Sequence, residues 1–163
     1  MRARNEADIV ACIPSLRRYA RGLTGDRDRA DDLVQDTLER AWSRFSMWQK
    51  RGEIRAWMFG IMHNAFVDRI RAQRSRPEDN AGDEVPELPE RATQTDRLEL
   101  RDLDRLLQRL PREQREVLLM VGVEELSYQQ VAGALGVPVG TVMSRLSRAR
   151  ERLRAAMEGS EVV

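Results

Sequence analysis

Cysteine is nearly absent from this chain, with Cys12 the single example among 163 residues. One thiol excludes an intramolecular disulfide framework and any zinc site built from several cysteines. Histidine is equally scarce, since His63 stands alone, and no cluster with metal-ligand spacing can form around it. Aromatic residues make up only 5%, so the core has to be packed with aliphatic side chains. No stretch approaches the roughly 20 apolar residues that would cross a bilayer. The N-terminal run MRARNEADIVACIPSLRRY carries charges inside its apolar part and makes a poor signal peptide. A Gly-rich phosphate loop and a nucleophile paired with a base are also missing, which argues against an enzyme. What these absences leave is a soluble, cytoplasmic, helical protein of one ordinary domain or two small ones. The length allows a modest core, and either half alone would be marginal. Neither a cofactor nor a metal is expected.

Charge is abundant and nearly balanced, with 28 basic against 27 acidic side chains and a net charge of +1. That sum conceals a segregation. Residues 1–77 carry 16 basic and 10 acidic groups, or +6. Residues 78–104 carry 3 and 10, or −7, and residues 105–163 carry 9 and 7, or +2. Lys50 is the sole lysine. The basic blocks are therefore arginine blocks, and arginine's planar fork suits phosphate and base edges.

The acidic segment RPEDNAGDEVPELPERATQ holds Pro77, Pro86 and Pro89 and few large apolar residues. Such a composition cannot nucleate a core and reads as a linker. It predicts an all-α protein of two small helical domains, residues 1–76 and 96–163, joined by an acidic flexible linker over 77–95. Ile9, Ile13, Leu16, Ala20 and Leu23 recur every three or four residues and define a first helix. Val34, Leu38, Ala41 and Phe45 define a second, with Gly22 and Gly25 punctuating the two. Ile54, Met58, Ile61 and Ala65, flanked by Phe59, Met62, Phe66 and Ile70, make a third that is apolar over much of its circumference. This helix should be central to the first domain. Beyond the linker, Leu100, Leu103, Leu107 and Leu110 predict a helix stopped at Pro111, and Arg112–Val121 another.

Ser127-Tyr128-Gln129-Gln130 is a capping box that opens a short helix, and Gly136 ends it. Val142, Leu146, Ala149 and Leu153 give the last helix its inner face. Two short helices across a Gly turn fit a helix-turn-helix, with Ala132 or Gly133 as the small residue at the crossing. Thr141, Ser144, Arg145 and Arg148 fall on the outer face of the second helix, where such a motif meets the major groove.

In the first domain, Asp32, Asp36 and Glu39 share an acidic helix face that suits docking or solvation better than catalysis. Arg69, Arg71, Arg74 and Arg76 form a candidate phosphate-contacting patch. Asn64 and Asp68 lie four residues apart on one face. Trp48 is either a satellite core residue or a platform on which an unstacked base could lie. Cys12 reads as a small buried residue, and His63 as a helix-surface residue.

Three runs carry a family resemblance. They are Asp31-Asp32-Leu33-Val34-Gln35-Asp36-Thr37-Leu38 with Ala41-Trp42, then Arg55-Ala56-Trp57-Met58-Phe59-Gly60-Ile61 with Asn64, Asp68 and Arg71. The third runs from Leu110-Pro111-Arg112-Glu113-Gln114 through Glu125–Ala132 to Gly136–Arg150. In this order the chain resembles, over about residues 9–155, the extracytoplasmic-function sigma factors of the sigma-70 family, group IV. The resemblance implies a sigma-two domain whose Asp32, Gln35, Asp36 and Glu39 dock on the beta-prime clamp helices of core RNA polymerase. It implies minus-ten recognition by Trp48 and loop 46–53 with Asn64, Asp68, Arg71 and Arg74, around a flipped base of the non-template strand. It further implies a sigma-four domain that meets the beta flap and reads the minus-35 element through Thr141, Ser144, Arg145 and Arg148. The linker would thread toward the RNA exit channel. Control by an anti-sigma factor, and no membrane insertion, complete the expectation.

Two rivals stand beside it. One is a free-standing helix-turn-helix regulator, which would bind duplex DNA tightly without polymerase. The other is a sigma-mimicking adaptor that binds an anti-sigma factor but not polymerase.

Overall fold

The computed structural model describes residues 2–45, 53–75 and 95–159. Residues 46–52, with Trp48, and the acidic segment 76–94 lie outside the described residues. The order is α1 (Arg2–Thr24), α2 (Arg27–Arg44), α3 (Ile54–Arg74), α4 (Thr95–Arg109), α5 (Arg112–Leu118), a π-helical turn (Leu119–Val123), α6 (Tyr128–Leu135) and α7 (Val139–Gly159). Among the described residues the fold is all-α.

The repeats at three and four lie where apolar spacing predicts. Ile9, Leu16, Ala20 and Leu23 of α1 are buried, as are Val34 and Ala41 of α2 and Met58, Ile61 and Ala65 of α3. The helix apolar on several sides, α3, packs on α1, α2 and α6. Its Phe59 meets Tyr19 of α1 edge to face, with centroids 5.0 Å apart. At the α1–α2 corner, Gly25 takes φ 69°, and the Asp26 carboxylate accepts from the Arg29 N–H at 3.2 Å to cap α2.

Several expectations need correction. Gly22 does not end α1; it lies inside it, where a Cβ would come within 2.9 Å of Leu119 Cδ2. Its smallness admits the π-helical turn. Leu103 is exposed, so the apolar repeat of α4 is not buried along its length. Gly133 is open to solvent, and Ala132 is the buried small residue at the helix crossing. The helix expected over Arg112–Val121 is interrupted by the π-helical turn, a local widening that apolar periodicity does not register.

The two blocks do not keep separate cores. Leu16, Tyr19 and Phe59 belong to the same cluster as Leu119, Met120, Val131 and Leu146. Arg115 helps to join them. Its guanidinium donates to the carbonyls of Leu107 (2.8 Å), Gln108 (3.0 Å) and Leu110 (2.9 Å), and to that of Leu23 (2.7 Å). One side chain thus closes the C-terminal ends of both α4 and α1.

Candidate nucleic-acid interface

The helix-turn-helix is built locally. Ser127 Oγ accepts from the Gln130 N–H at 3.1 Å, and Gln130 Oε1 accepts from the Ser127 N–H at 2.9 Å. Gly136, at φ 68° and ψ 37°, turns the chain left-handed at the end of α6. The Val137 N–H then donates to the Ala132 carbonyl at 3.1 Å. Those bonds set the direction in which α7 leaves the turn.

Val142, Leu146 and Ala149 of α7 are buried, which leaves Gly140, Met143, Ser144, Ser147 and Arg148 facing water. Of the four residues expected to read DNA, Ser144 and Arg148 are on this open face. Thr141 and Arg145 are half-buried. Arg145 turns toward α5, where its Nη2 lies 3.8 Å from Glu113 Oε2. Met143, 52% exposed, stands on the same open face although it is apolar. A large apolar side chain standing free on an outer helix face is the signal that marks it.

The first block shows a similar division. Asp32, Gln35 and Glu39 are exposed on α2. Asp36 is not free: Arg40 Nε donates to its carboxylate at 3.0 Å, and Arg69 Nε lies 3.6 Å away. Arg69 also donates to the Asp32 carbonyl at 2.9 Å, so it fastens α3 to α2 rather than joining a phosphate patch. Arg40 donates to Asp68 at 2.8 Å, and that bond holds the Arg40 guanidinium more firmly protonated. Asn64, Arg71 and Arg74 are exposed. Beside Glu39 the helices leave an apolar shelf lined by Ile9, Val10, Ile13, Leu38 and Trp42. Val10 and Trp42 are 58% and 52% exposed. An apolar shelf edged by the Glu39 carboxylate suits a protein partner better than DNA.

Cys12 is buried, and burial pushes its thiol above the ordinary range. His63 is not a helix-surface residue: its Nδ1 lies 3.2 Å from Glu116 Oε2, under cover of α5. Among the described residues no group of three metal-ligating side chains converges. No described helix is long and apolar enough to cross a membrane.

Two family models match in chain order. One, described as the sigma2 domain of PhyR, covers residues 9–63, and the other, sigma-70 region 4, covers residues 100–153. The chain is 41% identical over 156 residues to the ECF RNA polymerase sigma factor EcfG of Rhodopseudomonas palustris, covering 94% of this chain and 86% of that one. Its fold is similar to that of the sigma factor RpoE in complex with the anti-sigma factor NepR from Bartonella quintana. There the TM-score is 0.81 at 32% identity, over 94% of this chain and 96% of the other. CnrH in complex with the cytosolic domain of CnrY gives 0.73 at 26%, over 98% and 90%. PhyR in complex with NepR, also from Bartonella quintana, gives 0.63 at 17%, over 91% and 48%, a likeness of fold alone. Two matched regions in the order of the helical blocks, with identity along nearly the whole length, assign the chain to the extracytoplasmic-function sigma factors of the sigma-70 family.

Proposed function

We propose that this chain directs core RNA polymerase to a set of promoters and opens them, with no enzymatic activity of its own. The observation that carries the reading is the order of its parts. An acidic face with an apolar shelf lies in the first block, and a capped helix-turn-helix with an open polar face lies in the second. Residues 1–76 act as the sigma-two domain, 77–95 as the connecting strap and 96–163 as the sigma-four domain. Asp32, Gln35 and Glu39, with the shelf around Trp42, dock on the polymerase clamp, and Asp36 keeps their helix in register. Asn64, Arg71 and Arg74, together with Trp48, serve the minus-ten element. Asp68 serves it by holding Arg40. Met143, Ser144 and Arg148 meet the major groove of the minus-35 element, and Thr141 and Arg145 meet its flanking phosphates. The protein works in the cytoplasm. RpoE and CnrH are both seen in complex with a partner, and RpoE's is named an anti-sigma factor; the same kind of partner controls this chain.

The test is reconstitution with core polymerase and transcription of genomic fragments. Run-off products that depend on the added chain are expected. No product from any fragment, together with no binding to core, overturns the reading.

A second reading has one observation in its favour, the match of residues 9–63 to the sigma2 domain of PhyR. PhyR is named an anti-anti-sigma factor in its complex with NepR. An adaptor of that kind would bind an anti-sigma factor and ignore core polymerase, so the same binding experiment separates the two.

A further inference from the structure

Among the described residues two carboxylates are almost wholly buried, Glu116 and Glu124, each 1% exposed. Both belong to the second block and meet side chains of the first, His63 for Glu116 and Arg18 with Arg55 for Glu124. Glu124 is the more completely gripped. Arg18 of α1 donates to it as a fork, Nε to Oε2 at 2.9 Å and Nη2 to Oε1 at 2.7 Å. Arg55 of α3 lies 3.4 Å from Oε1 and donates to the Glu124 carbonyl oxygen. One residue is therefore tied to two helices more than 60 positions upstream.

The backbone is shaped to deliver that carboxylate. The π-helical turn Leu119–Val123 comes immediately before it, and the Glu124 N–H donates to the Leu119 carbonyl at 3.0 Å. Glu125, which follows, sits at φ 58°, the one positive φ among the described non-glycine residues. An L-residue adopts this conformation under constraint. Widened helix, buried acid and left-handed residue thus fall on consecutive positions.

A closed chain cannot do what the proposed function asks. Here α3 and α6 touch: a Cβ on Gly60 would lie 3.5 Å from Ala134 Cα. Gln130 of α6 also donates to Glu53, just before α3, at 3.3 Å. Elements named minus-ten and minus-35 are separated by about 25 base pairs, or about 85 Å at 3.4 Å per pair. A compact chain of this length has a radius of gyration of about 15 Å. The two blocks must part before both elements are read.

Resting on that function, we propose that Glu124, gripped by Arg18 and Arg55, is the releasable latch of a closed state, and that its release is the step that admits the chain to a promoter. Chemistry suits the task. A buried ion pair specifies one arrangement strongly while adding little net stability, because each charge regains water on separation. Arg18 keeps 55% of its side chain in solvent, so water reaches the pair from one side. An apolar seam alone would have neither property.

The test uses the full chain without polymerase or DNA. Dyes are placed at Arg27→Cys and Glu158→Cys, both exposed positions, on a Cys12→Ala background, and energy transfer is measured. Wild type should give a single high-transfer state. Arg18→Ala should raise the ratio of open to closed molecules about tenfold, since it leaves a buried charge half-compensated. Helicity should be unchanged. Glu124→Gln should act in the same direction, and Arg18→Lys should restore part of the closed state. Binding of core polymerase should accelerate with the open fraction. Unchanged transfer in folded Arg18→Ala overturns the latch, and so does a wild type already as open as the variant. If Glu124→Gln fails to fold, Arg18→Ala decides, because its partly exposed side chain can be removed without opening the core. The transfer signal is read without polymerase, so failure of the latch is distinct from failure of wild type to bind core.

Discussion

Replacing Arg115 with Ala should be among the most damaging single changes to this fold outside the apolar core. The guanidinium serves four backbone carbonyls at 2.7–3.0 Å, three near the end of α4 and one at the end of α1. A hydrogen bond from a charged donor contributes about 1.5–3 kcal/mol. Four such bonds cannot simply be summed, because bringing the charge inside costs part of the gain. Burial draws the Arg115 guanidinium below the ordinary arginine value, which is the mark of that cost. Water would also reach some of the carbonyls once the side chain is gone. A net loss of about 3–4 kcal/mol follows, or a fall of about 10 °C in melting temperature for a chain of this size. Arg115→Lys keeps the charge but loses the planar fork and should recover less than half. The assay is thermal and urea unfolding followed by circular dichroism. An Arg115→Ala variant within about 1 kcal/mol of wild type would refute the idea that one side chain closes both helix ends.

Three other outcomes are expected. Asp32→Arg should weaken core-polymerase binding about tenfold or more while leaving the melting temperature in place, since Asp32 is exposed; Asp36→Arg should lower both, because Asp36 is engaged by Arg40 and Arg69. On minus-35 duplexes bound through the holoenzyme, Arg145→Ala should reduce the slope of log affinity against log salt by about 1, and Met143→Ala should change sequence preference without changing that slope. Cys12 should resist alkylation at neutral pH in the folded chain, as burial raises its thiol, and should react once urea unfolds the protein; mass spectrometry after timed quenching reads the difference.

Much of the architecture is legible in the residues alone. Apolar spacing in α1, α2 and α3 places the buried faces, and the capping box at Ser127 with Gly136 marks both ends of α6. These features are local, set by helical period, orphan backbone groups and backbone freedom. Family membership is written in runs of residues and needs no coordinates. Gly22 shows the boundary of such reading: it looks like punctuation, yet it is a notch for Leu119, nearly a hundred positions away.

Tertiary structure decided which charges are free. Sequence periodicity puts Asp36 with Asp32, and Arg145 with Arg148, on common faces. The folded chain ties Asp36 to Arg40 and Arg69, and turns Arg145 toward Glu113. It also made His63 a neighbour of Glu116 and put Glu124 between Arg18 and Arg55. Apart from Asp36–Arg40, an i,i+4 pair on one helix, no local pattern reports these pairings, because an arginine's role depends on which carboxylate or carbonyl it meets after the helices pack. The sequence by itself determined that there would be two helical blocks. Only packing determined that they share one core, since the cost of burying Glu124 is met by partners more than 60 residues away.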